Sequence, residues 1–223
     1  MRTRSIFICV FSLFCISVFS QNEPAENKKS DSIKWKYTPN FTIGADVLNL
    51  GIGLFGDRKL FQGFISSRIN KRTHAVIDLG YDKNIYQKNG YDAKADGMFA
   101  KVGGFYMLSI DPENDLNGFY AGGKLAGSFY TQEYMAVPVK GMYSEGVTLA
   151  FDPSTQSSYW IEAMLGARVQ VFESNFFIDV NVQPRYLAYT TKQDEIEPMI
   201  VPGFGRSSGK FTMGFSWNIA YKF

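Results

Sequence analysis

Phe211-Thr212-Met213-Gly214-Phe215-Ser216-Trp217-Asn218-Ile219-Ala220-Tyr221-Lys222-Phe223 ends the chain, and its large apolar residues alternate without a fault with small or polar ones. A period of two is typical of a β-strand that presents different chemistry on its two faces. Ordinary globular strands run for about 5–6 residues, whereas a tilted strand that crosses a bilayer needs about 9–11. Residues 211–223 therefore predict a membrane-crossing β-strand.

The same alternation recurs upstream, and together with the last strand it predicts eight β-strands. The first strand changes phase after Val47, and a β-bulge there would restore the alternation, because a slip of one residue exchanges the two faces. The seven upstream strands are expected at residues 41–55, 60–70, 74–82, 98–108, 119–129, 159–171 and 176–186.

The connections between these strands alternate in length. Short turns fall near 71–72, 110–116 and 173–174, and long connections fall at 83–95, 131–158 and 191–209, with a short exception at 56–59. Short turns at one end and long loops at the other are typical of outer-membrane barrels. The sequence thus predicts an all-β fold, an eight-stranded antiparallel up-and-down transmembrane β-barrel with short periplasmic turns and long extracellular loops.

The N-terminus differs in character from the rest of the chain. Arg2 and Arg4 precede an apolar run at residues 6–19, which predicts a signal peptide at 1–20. A polar stretch at 21–40 predicts a flexible periplasmic leader, and the barrel occupies 41–223. We expect the protein in the cell outer membrane of a Gram-negative bacterium.

Both cysteines, Cys9 and Cys15, lie in the predicted signal peptide. The rest of the chain therefore lacks the thiols needed for a disulfide, a thiolate metal site or a cysteine nucleophile. The bulky Phe14 disfavours Cys15 as a lipid-attachment site. Without Arg2 and Arg4 the chain carries equal numbers of basic and acidic residues, so no basic excess points to nucleic acid.

A soluble eight-stranded ligand barrel is the alternative fold, and it would place its apolar residues inside. Its outer face should then be rich in charged residues. In the last strand the polar face holds one charge, Lys222, among Gly, Ser, Thr, Asn and Ala. Small polar residues suit a narrow interior better than a wet surface, so the apolar face is expected to meet lipid.

Seven charged residues of mixed sign are expected to point into the barrel. An eight-stranded barrel is only wide enough for side chains to fill it, and buried charges must pair. We therefore predict a plug of salt bridges and hydrogen bonds, with a thin water or ion path as the alternative. The predicted charge network consists of Asp78, Lys101, Lys124, Glu162, Arg168, Asp179 and Arg185.

The residues also resemble known sequences. The terminal segment, with Trp217, Tyr221 and Phe223, looks like the signal read by the outer-membrane assembly machinery. Gly44-Ala45-Asp46-Val47, Leu79-Gly80-Tyr81 and Tyr159-Trp160-Ile161-Glu162 are similar to segments of a domain-of-unknown-function outer-membrane β-barrel family of Bacteroidota. The resemblance implies an outer-membrane barrel and supplies no catalytic residue.

Few residues suggest enzyme chemistry. His74 is the only histidine and follows a short turn, whereas a barrel enzyme acting on surface lipid would need its site at the other end. With one His and no available Cys, a multi-His or thiolate metal site is excluded within one chain. Asp111, Glu113 and Asp115 lack the Gly and distal Glu of a calcium loop. We expect no enzymatic activity, metal or cofactor.

The long connections hold the remaining candidate residues. Acidic residues cluster in the last one, flanked by Lys192 and Arg206, and this mixed charge is a poor site for anionic lipopolysaccharide. Aromatic residues and a methionine in the preceding connection suit either a binding loop or an aromatic belt. The acidic cluster comprises Asp194, Glu195 and Glu197, and the aromatic group comprises Tyr130, Tyr134, Met135 and Tyr143.

Pro184 lies inside a predicted strand, where proline removes a ladder hydrogen bond. A β-bulge is the favoured explanation. The alternative is a strand break that weakens the barrel wall and lets a lipid enter sideways. Unchanged lipid processing in a Pro184→Ala variant would count against that alternative.

The sequence favours a small closed barrel with a structural or surface-interaction role. The connections at 131–158 and 191–209 form the candidate contact surface. Expected partners are outer-membrane lipids, the assembly machinery during biogenesis and an extracellular or periplasmic partner of unknown identity. A lipid-modifying or lipid-binding barrel, a narrow channel and a soluble periplasmic ligand barrel remain as alternatives.

Overall fold

The computed structural model describes residues 40–56, 58–111, 116–139, 147–193, 196–207 and 209–223. The predicted signal peptide, and the predicted leader up to residue 39, lie outside these ranges. The elements are β1 (Phe41–Asp46), α1 (Val47–Phe55), β2 (Lys59–Arg68), β3 (Thr73–Lys88), β4 (Tyr91–Met107), β5 (Gly118–Val139), β6 (Val147–Gln170), β7 (Phe176–Thr190), β8 (Ile200–Val201), β9 (Gly205–Arg206) and β10 (Phe211–Lys222).

Eight of the strands form a ring in the order β1-β10-β7-β6-β5-β4-β3-β2, and every pair is antiparallel. The predicted all-β fold with eight antiparallel strands is confirmed. The Phe223 amide donates to the Phe41 carbonyl, which brings the ends of β10 and β1 to one end of the ring. We call this end the base, and the opposite end, which holds the β3–β4 turn, the mouth.

The two faces of each strand have opposite environments. On β10, Phe215, Trp217 and Ile219 are each about half exposed on the outside, at 58%, 48% and 47%. Ser216 and Asn218, which alternate with them, are buried inside. The expected orientation, apolar outward and polar inward, is confirmed for this strand and recurs around the ring.

The predicted first strand, 41–55, is wrong in its second half. β1 ends at Asp46, and α1 follows instead of a bulged strand. The Asp46 carboxylate caps α1 by accepting hydrogen bonds from the Leu48 and Asn49 amides, at 3.1 and 3.2 Å. The change of phase after Val47 therefore marks a change from strand to helix. Among the described residues no helix is both long and apolar enough to cross a membrane.

The predicted long connection at 83–95 is instead the tip of an extended hairpin. β3 and β4 pair as far as Lys88 and Tyr91, so only Asn89 and Gly90 form the turn. Both turn residues have positive φ, 55° and 81°, as a type I′ hairpin turn requires. β5 and β6 likewise extend into the region predicted as a loop at 131–158.

Pro184 lies within the continuous strand β7, but the described β6–β7 ladder lacks the two pairs that would join Pro184 to Ala163 and Gln183 to Met164. The pairs on either side, Glu162–Arg185 and Leu165–Val182, share one register, so the β6–β7 ladder gains no extra residue there. The favoured bulge at Pro184 is therefore wrong. The register shift between these strands lies closer to the mouth, between Tyr159 and Trp160.

The interior is layered along the barrel axis. An apolar cluster that includes Phe105, Tyr120 and Met164 fills the part toward the base. A second cluster, which includes Phe99, Trp160 and Phe204, fills the mouth. Between them lies a layer of charged side chains.

Candidate functional site

The seven residues of the predicted charge network all lie inside the ring and are at most 8% exposed. They form three groups, and each group joins side chains of three strands. In the first, Lys124 Nζ of β5 lies 2.6 Å from Asp78 Oδ2 of β3. The Gln62 amide donates to the same oxygen at 3.1 Å, so this carboxylate joins β2, β3 and β5.

Glu162 of β6 is the centre of the second group. Its Oε2 atom lies 3.0 Å from Lys101 Nζ and 3.1 Å from Arg185 Nε. The Trp160 indole N–H donates to the same oxygen at 3.0 Å. One buried carboxylate thus balances two buried cations, and both would lose their counter-charge if Glu162 were neutral.

The third group joins Arg168 and Asp179, whose Nε and Oδ2 atoms are 2.9 Å apart. The Tyr120 hydroxyl donates to Asp179 Oδ1 at 2.7 Å, and the Asn181 amide donates to the same oxygen at 3.1 Å. The Arg168 guanidinium also lies 5.2 Å from the centre of the Phe105 ring. This group connects the charged layer to the apolar cluster at the base.

Little space remains among these side chains. The cavity that four network residues, Asp78, Lys124, Arg168 and Asp179, help to line has a volume of about 20 Å³, and roughly 10–15 Å³ is the least that holds one water molecule. The charged layer is therefore a filled layer of side chains at this level of the barrel.

The connection after β7 closes the mouth, although the sequence predicted a long external loop. Ile200, Val201 and Phe204 are at most 3% exposed, and the Phe204 ring lies 5.8 Å from that of Trp160. We call residues 196–207 the mouth segment. Two charged side chains also form hydrogen bonds with its backbone. Asp82 Oδ2 accepts from the Gly203 amide at 3.0 Å, and Arg185 donates to the Phe204 carbonyl at 3.1 Å.

Gly203 fixes the mouth segment against the wall. Its φ is +77°, and a Cβ there would lie 2.5 Å from Cγ of Phe99. In alanine the left-handed backbone conformation costs about 1–2 kcal/mol, and the added Cβ would clash with the Phe99 ring. We expect Gly203→Ala to release the mouth segment and speed tryptic cleavage at Arg206, with the barrel intact.

Limited proteolysis followed by mass spectrometry measures this effect. Gly209→Ala is the matched control, because a Cβ at Gly209 would come no closer than 4.0 Å to a described neighbour. Equal cleavage rates for the two variants would contradict the packing of the mouth segment against Phe99.

The remaining predicted residues are dispersed. His74 is buried near the base with its ring stacked on Phe105, 4.7 Å between centroids. Tyr130 and Tyr134 point inward, and Met135 points outward. Lys192 donates to Glu197 and lies 3.0 Å from it, and this contact holds the pKa of Glu197 below its ordinary value. Glu113, Asp115, Tyr143, Asp194 and Glu195 lie outside the described residues.

The described residues contain no group of three or more His, Cys, Asp or Glu side chains placed to hold a metal ion. Sequence reasoning missed three residues that organise the mouth: Arg58, Asp82 and Phe204. Arg58 and Asp82 form a two-point ion pair, with N–O distances of 2.6 and 3.0 Å. The apolar run Ile200-Val201 within a predicted external loop was the signal for burial.

The barrel wall is incomplete beside α1. β1 ends at Asp46, opposite Asn218. Within the described residues, the edges of β10 and β2 that face β1 therefore have no ladder pairs at 211–217 and at 59–62. α1 contacts both strands at this wall gap. The Asn49 amide donates to the Phe215 carbonyl at 3.3 Å, so a helix side chain takes the place of a ladder hydrogen bond.

Two spaces flank α1. The lateral crevice, of about 520 Å³, lies between α1, β2, β10 and the mouth segment and is lined by Arg58, Arg185 and Arg206 beside apolar residues. The outer groove, of about 710 Å³, lies between α1 and the outward face of β7 and β10, and Trp217, Ile178 and Ile219 line it. Leu48 and Ile52 line both.

The sequence matches the family described as "Domain of unknown function (DUF6048)" over residues 3–223. A comparison with curated proteins finds no match. Among solved structures, the chain is similar to the N-terminal β-barrel domain of Pseudomonas aeruginosa OprF, with 13% identity over 82% of this chain and 97% of that chain and a TM-score of 0.36.

Two further solved structures are similar. Neisserial surface protein A shows 16% identity over 83% of this chain and 96% of that chain, with a TM-score of 0.39. The β-domain of the Bordetella autotransporter Brka shows 13% identity over 82% of this chain and 78% of that chain, with a TM-score of 0.35.

Proposed function

We propose that this chain, which belongs to the DUF6048 family of domains of unknown function, is a small outer-membrane β-barrel that spans the bilayer. Its role is structural or surface-interacting, without enzymatic activity or a cofactor. The observation that supports this most directly is the distribution of side chains. Around the middle of the ring the outward side chains are apolar, and the seven charged residues of the network are inside. Outward charges such as Lys94, Asp96 and Glu133 lie toward the mouth.

The outer surface has the dimensions that a bilayer requires. An aromatic cluster toward the mouth joins Tyr159 to Phe129 and Tyr189, and one at the base joins Tyr221 to Phe176 and Phe223. Between them, the outward residues of β6 from Tyr159 to Val169 include no charge. The length of this segment fits the roughly 9–11 residues of a tilted transmembrane strand, and aromatic residues lie at both of its ends, where the membrane interfaces would be.

The proposal includes the route to the membrane. Residues 1–20 act as a signal peptide and 21–40 as a periplasmic leader in a Bacteroidota cell. Trp217, Tyr221 and Phe223 present the assembly signal to the assembly machinery. All three lie on the apolar face of β10 and its end, which meets outer-membrane lipids in the folded protein.

Two alternatives fit the geometry less well. A narrow channel needs a continuous path, whereas the cavity among Asp78, Lys124, Arg168 and Asp179 has about 20 Å³ and apolar clusters lie on both sides of the charged layer. A soluble ligand barrel needs an apolar interior and a polar exterior, which is the reverse of the distribution on β10.

A contact surface for an extracellular partner is best placed on the hairpin of β5 and β6. Beyond the aromatic cluster at the mouth this hairpin exposes Met135, Val139, Val147 and Leu149, each above 40%. The 191–209 connection contributes less than the sequence suggested, because the mouth segment is largely buried.

Heat-modifiability tests the proposal. We expect the protein in the outer-membrane fraction, and we expect unboiled and boiled samples to migrate differently in detergent electrophoresis, because a closed barrel resists unfolding in detergent until it is heated. A protein found in the soluble periplasm, with a single mobility, would overturn the proposal.

A further inference from the structure

We propose that the lateral crevice and the outer groove together bind one long-chain fatty acid. Its carboxylate would lie at the arginines of the crevice, and its acyl chain would pass Leu48 and Ile52 into the groove. This inference rests on the proposed function in one respect, since an outer-membrane location would supply the lipid from the side.

The charge of the crevice favours an anion. Among the described residues, its lining includes three arginines and no Asp or Glu. Arg58 and Arg185 are each paired with a carboxylate outside that lining, Asp82 and Glu162. Arg206 is exposed and stacks on the Tyr86 ring at 4.7 Å, and the described residues give it no ion pair. Arg206 is therefore the cation best placed to receive a carboxylate.

The groove favours an acyl chain. The residues that line it are apolar or glycine, among them Trp217, Ile178 and Phe55. Volumes of about 520 and 710 Å³ for the two spaces lie within the range of small-molecule sites, about 300–1,000 Å³. One apolar groove and one cationic crevice that share Leu48 and Ile52 fit a single-chain amphiphile better than a lipid with several chains.

α1 explains why the site opens sideways. A β-strand in its place would close the wall, but the helix leaves the wall gap, and its residues Leu48 and Ile52 line both spaces. Phe55, at the end of the helix and in the groove lining, is 95% exposed outside the ring. The entrance to the groove is therefore itself apolar, as entry from a bilayer requires.

Binding of radiolabelled palmitate to the purified, folded protein in nonionic detergent tests the proposal. We expect saturable binding of one palmitate per protein. Hexadecanol, which has the same chain and no charge, should compete poorly. Heat-modifiability of the same preparation shows that the protein is folded before binding is measured.

Two variants address the two ends of the ligand. Arg206→Gln should weaken palmitate binding roughly tenfold, as expected for the loss of one charge-assisted contact. Gly51→Phe should abolish binding, because a Cβ at Gly51 meets nothing within 4 Å and the ring would fill the groove. A helix interior accepts Phe better than Gly, so Gly51→Phe should still fold.

The controls change the same chemistry elsewhere. Lys222→Gln removes a positive charge at the base, and Leu54→Phe adds a ring to α1 away from the groove lining. Both should bind palmitate like the parent protein. Absence of saturable binding, equal competition by hexadecanol, or full binding by Gly51→Phe would each overturn the inference.

The outcomes separate this inference from the proposed function. A heat-modifiable outer-membrane protein that fails to bind palmitate would leave the proposed function intact and refute the fatty-acid site. A protein that binds palmitate with the expected variant pattern but fractionates with the soluble periplasm would refute the membrane location alone. Preference for a two-chain anionic phospholipid over palmitate would refute the single-chain ligand.

Discussion

Glu162→Gln is expected to destabilise the barrel by about 3–5 kcal/mol, the typical cost of removing one partner from a buried ion pair. The substitution keeps the shape of the side chain and removes its charge. Lys101 and Arg185, within 3.0 and 3.1 Å of the carboxylate, would then be buried without the counter-charge they share. Urea unfolding of the protein in lipid vesicles measures the loss.

Glu197→Gln is the matched control. It makes the same chemical change in an ion pair with Lys192 whose side chains are 52% and 54% exposed. Water and salt screen such pairs, so the free energy of unfolding should hardly change. Equal stability for Glu162→Gln and Glu197→Gln would mean that water reaches the interior charges and that the charged layer is not sealed.

A second substitution tests whether Lys101 and Glu162 stabilise the protein as a pair. Lys101→Met alone should destabilise the protein, because Lys101 donates to Glu162 at 3.2 Å. In the Glu162→Gln background the same change removes an uncompensated buried cation, so the double variant should be more stable than Glu162→Gln. Additive losses in the double variant would show that Lys101 and Glu162 do not act as a pair.

The positions of the interior charges could be predicted from the sequence, but not their pairing. The alternation of side chains puts Asp78 and Lys124 inside whatever the register. Their contact at 2.6 Å spans β3 to β5 across β4, and the tilt and stagger of a barrel decide which inward residues meet. One sequence does not contain that information.

The sequence contains two local signals, one for a hairpin turn and one for a helix start, and the expectation of regular strands outweighed both. Asn89-Gly90 is a strong hairpin signal, yet the spacing of the predicted strands assigns residues 83–95 to a long connection. Asp46 is a favoured N-cap residue and stands directly before an apolar segment, which is a pattern of helix starts, yet a bulge explained the same change of phase. A bulge and a helix both shift the alternation, and only the capping contacts of Asp46 distinguish them.

The mouth segment could not be placed from the sequence because its burial is a tertiary effect. Gly203 must lie against Phe99, which is 104 positions away in the numbering, and the Gly203 amide must reach Asp82. The apolar residues Ile200, Val201 and Phe204 show that this connection can be buried. They do not show whether it covers the mouth from inside or binds another molecule outside.

Leu165→Arg is expected to destabilise the protein in lipid vesicles by about 2–4 kcal/mol, the cost of Arg near the middle of a bilayer on the outside of a barrel. Leu165 lies on the outward face of β6, 58% exposed, between Tyr159 and Val169. Urea unfolding in vesicles gives the difference in free energy from the parent protein.

Thr155→Arg is its matched control. Thr155 is exposed on the same face of β6, on the mouth side of Tyr159, so an arginine there would reach water and should change stability by less than about 0.5 kcal/mol. Both variants add the same side chain to the same strand, so the effects of β-strand propensity and of side-chain packing on stability largely cancel between them. The remaining difference reports whether lipid or water surrounds Leu165. A soluble barrel would tolerate both substitutions equally, so equal stabilities would contradict a bilayer-spanning barrel directly, whatever fraction of the cell the protein was found in.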